Sequence, residues 1–231
     1  MEDKKILAFL KNVLTNMPKT WLNLTTHRLD IYDEKQAKTQ FIAKFESLFN
    51  QNNSSESALI ELPTAYDYIR LGHPLSCILE WFIANLSNLN PENAISFSSR
   101  TIPIIAILRK NLFDQKNTQI FYTGELPTCF DAQLLRDVYG YKFDLKQVER
   151  TQSIPAFNGS TIYMASYHEI NMDELPPNID FLVSLYPNIG SILLVTSETN
   201  ESYIQEIQHV RRRETIAMTP SNCLNALNLL L

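Results

Sequence analysis

From Pro74 to the C-terminus, amphipathic helical stretches alternate with apolar runs too short to be helices, and that alternation restricts the chain to a layered α/β fold. The spacing predicts a helix over 75–86, with Ile78, Leu79, Phe82, Ile83 and Leu86 turned inward, and a strand over 94–97. A helix over 101–110 tolerates Pro103 because that residue falls in its first turn. A strand at 119–122 leads to a helix over 132–138, capped by Asp131 and ended by Gly140. Residues 141–143 read as a strand and 144–149 as a short helix. Further strands are expected at 161–165, 181–185 and 192–196, with a helix over 201–213 and a last helix, capped by Ser221, running to Leu230. Strands separated by helices imply a mainly parallel sheet covered on both faces.

The first fifty residues are organised differently. Ile6, Leu7, Leu10, Val13, Leu14 and Met17 share one helical face, and Pro18 ends that helix. A second helix over 35–49 carries Phe41, Ile42, Phe45, Leu48 and Phe49. The polar run 51–55 has nothing to bury, so residues 1–54 are read as an N-terminal helical extension and 55–231 as the α/β domain.

Several function classes are disfavoured. A net charge of −5 argues against a nucleic-acid or anionic-membrane surface. The one basic run, Arg211-Arg212-Arg213, closes a predicted helix, where cations complement the dipole. Cys77, Cys129 and Cys223 are far apart, and no His/Cys spacing suits a metal, so a reduced, cytoplasmic protein without a metal site is expected. The N-terminus lacks the pattern of a signal peptide, and no apolar stretch approaches the ~20 residues of a membrane span. Five glycines form neither a dinucleotide fingerprint nor a phosphate loop. Tyr167-His168-Glu169 sets an acid beside a base, but neighbours on a strand face opposite ways, so no catalytic residue is assigned there.

The segment Tyr66-Asp67-Tyr68-Ile69-Arg70-Leu71-Gly72-His73-Pro74 is more specific. A phenol and a guanidinium two residues apart in an extended turn can converge on one phosphate; equally, the tyrosine can pack on the next helix and the arginine can sit in solvent. With Leu79-Glu80 and Phe97-Ser98-Ser99 behind it, the segment resembles the Cys/Met-metabolism family of pyridoxal-phosphate enzymes, which includes cystathionine synthases and lyases and methionine γ-lyase. That family's pattern is YEYSRxGNPT, then LE, then FSSGMAAI. Tyr66, Tyr68, Arg70, Gly72, Pro74, Leu79, Glu80, Phe97, Ser98 and Ser99 stand at matching positions. Residues 219–231 are similar to the segment that ends the family's large domain.

The resemblance implies the fold type I large domain without the small C-terminal domain. It also implies contact with a coenzyme phosphate, across a dimer interface, from Tyr68 and Arg70, and at the Ser99 turn. The departures bear on activity. Such chemistry needs a lysine amine to hold the coenzyme. The family's S-x-TK motif corresponds to the stretch 180–188, which has no lysine, and none follows Lys146. Arg100 replaces the family's glycine beside the phosphate, and His73 replaces its asparagine. No tyrosine stands near Leu126-Pro127-Thr128 to stack on the coenzyme ring, and the ring-nitrogen aspartate has no counterpart around Ala165-Ser166-Tyr167. Three readings stay open. The first is a degenerate, dimerising scaffold that pairs with itself or with an intact family enzyme, its pyridoxal phosphate lost or held non-covalently. The second is an active sulfur amino-acid lyase or transferase using Lys142 or Lys146. The third is a sensor of a phosphorylated ligand.

Overall fold

A computed structural model describes residues 2–23, 34–63, 69–149, 154–169, 175, 178–197 and 200–231. Among them, β1 (Ala94–Phe97), β2 (Thr118–Tyr122), β3 (Phe143–Gln147), β4 (Ser160–Ser166), β5 (Phe181–Tyr186) and β6 (Gly190–Val195) form one sheet in the order β1-β6-β5-β4-β2-β3. β2, β3, β4 and β5 pair in parallel, while β6 runs antiparallel to both β5 and β1. The sheet is therefore mixed and mainly parallel. The reversal at β6 follows from a tight turn after Tyr186, in which Asn188 adopts φ 59°; asparagine tolerates that region better than most side chains.

Alternate strand residues feed two cores. Ile95, Phe97, Ile120, Ile162, Met164, Phe181, Val183 and Leu193 face α5 (Ile102–Phe113), α6 (Ala132–Asp137) and α7 (Glu201–Glu214). Ala94, Phe121, Tyr163, Ala165, Leu182, Ile192 and Leu194 face the other way. There they meet α4 (Pro74–Leu86), α8 (Pro220–Leu230), and the N-terminal helices α1 (Glu2–Asn16) and α2 (Glu34–Asn50). A short helix, α3 (Glu56–Ile60), packs on α1. Phe9 and Phe45 are fully buried, and Trp81 of α4 meets both Phe45 and Phe49 edge to face, so α1 and α2 share the core of α4.

Most expected elements are present within a residue or two, and the sheet is α/β and covered on both faces. Three assignments are corrected. The strand expected at 141–143 and the helix expected over 144–149 are replaced by one strand: Tyr141 and Lys142 precede it, and Phe143–Gln147 is β3, paired with β2 from Thr118↔Phe143 to Tyr122↔Gln147. Its polar outer residues suit an edge strand, and pairing with β2 overrides the helix preference of Leu145, Lys146 and Gln147. The cap of the last helix is Thr219, whose hydroxyl accepts from the Asn222 amide, and not Ser221. Pro220 occupies the first helical position, which puts the cap one residue before it.

Candidate functional site

Strands β1, β2, β4 and β5 point the same way, so their carboxyl ends share one edge of the sheet, the usual place for a ligand in an open α/β fold. Ser98 and Ser99 follow β1, Thr123 follows β2, Tyr167 follows β4, and Tyr186 ends β5. β6 begins at this edge with Gly190 and Ser191.

At β1, the Ser99 hydroxyl accepts from the Ile102 amide at 3.1 Å and the Thr101 amide at 3.2 Å. These are the first amides of α5, the groups a helix offers to an anion. The Ser99 carbonyl accepts from the Ser191 hydroxyl at 2.6 Å. Gly190 lies against β1 so closely that a Cβ would stand 2.1 Å from the Phe97 carbonyl oxygen, at a φ of +150°.

At β4 and β5, the rings of Tyr167 and Tyr186 stack with centroids 4.7 Å apart and planes 10° from parallel. The register explains it. Ser166 pairs with Leu185, so Tyr167 and Tyr186 are the next position of the same ladder. Tyr186 is buried, and burial pushes its phenol pKa up despite a hydrogen bond from Ser184 that lowers it. Between β2 and β4, the Thr123 hydroxyl donates to Glu169 Oε2 at 2.7 Å. His168 meets the Ser166 hydroxyl through Nδ1 at 2.9 Å. Tyr167, His168 and Glu169 form one turn of 3₁₀ helix, and its acid and base engage different partners.

Arg70 is exposed in the turn before α4, and Tyr68 lies outside the described residues. The backbone around Arg70 and Ser99 is tied to one segment: the Ala217 amide donates to the Ile69 carbonyl, and the Ser98 amide donates to the Ile216 carbonyl. His73 caps α4. Its Nδ1 accepts from the Ser76 amide at 3.2 Å, which leaves Nε2 to donate to the Met218 carbonyl at 2.7 Å.

Behind this edge sits a buried ionic cluster that the sequence did not announce. Glu80 Oε2 meets Lys38 Nζ at 2.8 Å and Oε1 meets Arg211 NH1 at 2.9 Å, all three side chains being at most 5% exposed. Burial alone would raise the pKa of Glu80, but Lys38 and Arg211 outweigh it and hold the carboxyl at about 2. Burial would likewise lower the pKa of Lys38; Glu80 first, then Glu92, raise it above the usual lysine value. Arg211 therefore does more than complement a helix dipole, which corrects the expectation for the Arg211–Arg213 run. A usable signal was Glu80 itself, a carboxylate inside an otherwise apolar helix, which must find a cation if it is buried.

Lysine-linked pyridoxal phosphate does not fit these residues. β5 ends in a buried phenol and a tight turn, the place at which the resemblance leads one to expect an amine. Lys142 and Lys146 are exposed and lie before and within β3, three strand spacings from β5, or roughly 14 Å. Among the described residues no group of three or more His, Cys, Asp or Glu could hold a metal ion, and no helix is long and apolar enough to cross a membrane.

No protein-family model matches the chain, and no curated protein matches it. Among solved structures the chain is similar to a cystathionine γ-lyase from Lactobacillus plantarum complexed with L-serine, at 10% identity and a TM-score of 0.47. It is similar also to metB from Corynebacterium glutamicum, at 10% identity and a TM-score of 0.49. In each case 95% of this chain is covered, and the chain spans 62% of the other protein's length.

Proposed function

We propose that this chain is a catalytically degenerate relative of the pyridoxal-phosphate enzymes of sulfur amino-acid metabolism, acting as a dimerising scaffold. In this reading residues 1–54 are a helical extension, residues 55–231 are the former coenzyme-binding domain, and the protein is cytoplasmic. It pairs with a second copy or with an intact family enzyme. Tyr68, Arg70 and Ser99 are the remnants of the phosphate site. The observation that carries the reading is the end of β5, where Tyr186 and the turn at Pro187 stand in place of the amine that covalent chemistry needs.

The reading is supported by the combination of retained and lost pieces. The Tyr-x-Arg pair that reaches a neighbouring subunit in the family survives in the sequence, whereas the groups that act on substrate do not. Light scattering on the purified chain, alone and mixed with an intact cystathionine γ-lyase, tests it. The expected result is a dimer or a mixed complex, with no release of 2-oxo acid or thiol from cysteine, cystathionine or methionine by this chain alone. A monomer under both conditions, or turnover by the chain alone, contradicts it.

A further inference from the structure

We infer that the chain seals the carboxyl end of its own sheet, so that a planar phosphorylated ligand is excluded by side chains already in place. This deepens the degenerate-relative reading and rests on it.

Two contacts cross gaps of the edge, and a third closes the turn after β1. In an open sheet the crevice lies where consecutive connections leave in opposite directions. Here that point falls between β2 and β4, because the chain passes from β2 outward to β3 and then returns to the other side of β2 for β4. The Thr123–Glu169 hydrogen bond crosses this gap at 2.7 Å. In the next gap, between β4 and β5, the Tyr167–Tyr186 stack takes up the room of two aromatic rings, and Tyr186 is only 1% exposed. At β1, the first free amides of α5 are satisfied by Ser99. A planar ring would have to displace one tyrosine, and a phosphate at the start of α5 would meet amides already taken by the Ser99 hydroxyl. Loss of the lysine and filling of the ring space are then separate events, and the second acts even on a ligand that needs no covalent link.

Pyridoxine 5′-phosphate, which carries no aldehyde and forms no Schiff base with surface lysines, is the probe. Equilibrium dialysis is run on the wild type, Tyr167→Phe, which keeps a ring, and Tyr167→Ala, which removes one. The expected result is no saturable binding below about 1 mM for the first two and at least tenfold tighter binding for the folded alanine variant. Saturable binding by the wild type overturns the seal, as does a folded Tyr167→Ala that gains nothing. Should that variant not fold, nitration of the native wild type with tetranitromethane decides. Tyr139, which is 54% exposed, should react while Tyr186 stays unmodified, and nitration of Tyr186 in the native protein overturns the inference. Non-covalent binding by the wild type leaves the degenerate-relative reading standing; only a borohydride-fixed coenzyme adduct that turns over substrate removes that reading.

Discussion

Glu80 and Arg211 meet at 2.9 Å and together complete the outer edge of β1. The Ser96 amide and hydroxyl donate to Glu80 Oε1 at 2.8 and 2.7 Å, while Arg211 NH1 donates to the Ser96 carbonyl at 3.2 Å. A carboxylate and a guanidinium thus do for one residue what a neighbouring strand would do. Arg211 NH2 also donates to the Leu71 carbonyl at 2.7 Å, which fixes the turn carrying Arg70. An edge strand left bare invites pairing with other chains, and this one is closed by charge.

Glu80→Gln should be strongly destabilising, because it leaves Arg211 buried without its anion and Lys38 with only Glu92, at 3.8 Å. We expect a loss of about 3–5 kcal/mol in urea unfolding at pH 7. The same group sets an acid limb. Its folded pKa of about 2 lies below the ordinary 4.5, so its contribution is full above the ordinary value and is lost as pH falls through the folded one. Wild-type stability should drop by about 3 kcal/mol from this group between pH 5 and pH 2, and the glutamine variant should lack that component. Parallel pH profiles for the two proteins would contradict the assignment.

Gly190→Ala should weaken the pairing of β6 with β1. The added Cβ would stand 2.1 Å from the Phe97 carbonyl oxygen, and the backbone sits at a φ that side chains rarely adopt. A cost above about 2 kcal/mol is expected in chemical denaturation. An unchanged midpoint would mean that β1 and β6 are not held as closely as described.

Thiol labelling should distinguish the cysteines. Burial first, then Glu80, pushes the Cys77 thiol up to about 12, and burial pushes Cys223 up as well, whereas Cys129 is exposed. The thiolate is the reacting form. Iodoacetamide on the native protein should therefore modify Cys129 alone, with the other two reacting only after unfolding. Fast labelling of Cys77 in the native state would contradict its burial on the inner face of α4.

How much of this was legible in the sequence depends on where each signal lies. β4, β5 and β6 read directly, because a strand buried on both faces is a short, nearly continuous apolar run. β3 did not, since Asp144, Lys146 and Gln147 face outward at the sheet edge and only the ladder with β2 makes them a strand. The Thr219 cap was readable from Pro220 and the proline-first rule. Of the proposed phosphate contacts, the sequence gives Tyr68, Arg70 and Ser99 by resemblance alone. What surrounds Ser99 is partly tertiary, as in the Ser191 hydroxyl donating to its carbonyl from ninety-two residues away. The Tyr167–Tyr186 stack depends on strand register, which links residues nineteen positions apart and leaves no local mark.

The central claim is that no amine of this chain stands where a coenzyme would be tethered. Incubation with pyridoxal 5′-phosphate, a visible spectrum, borohydride reduction and peptide mass spectrometry test it most directly. The account predicts no stoichiometric adduct at a single lysine, only scattered labelling of exposed ones. One lysine fully converted to its pyridoxyl form, with a visible band that shifts when a sulfur amino acid is added, would contradict it.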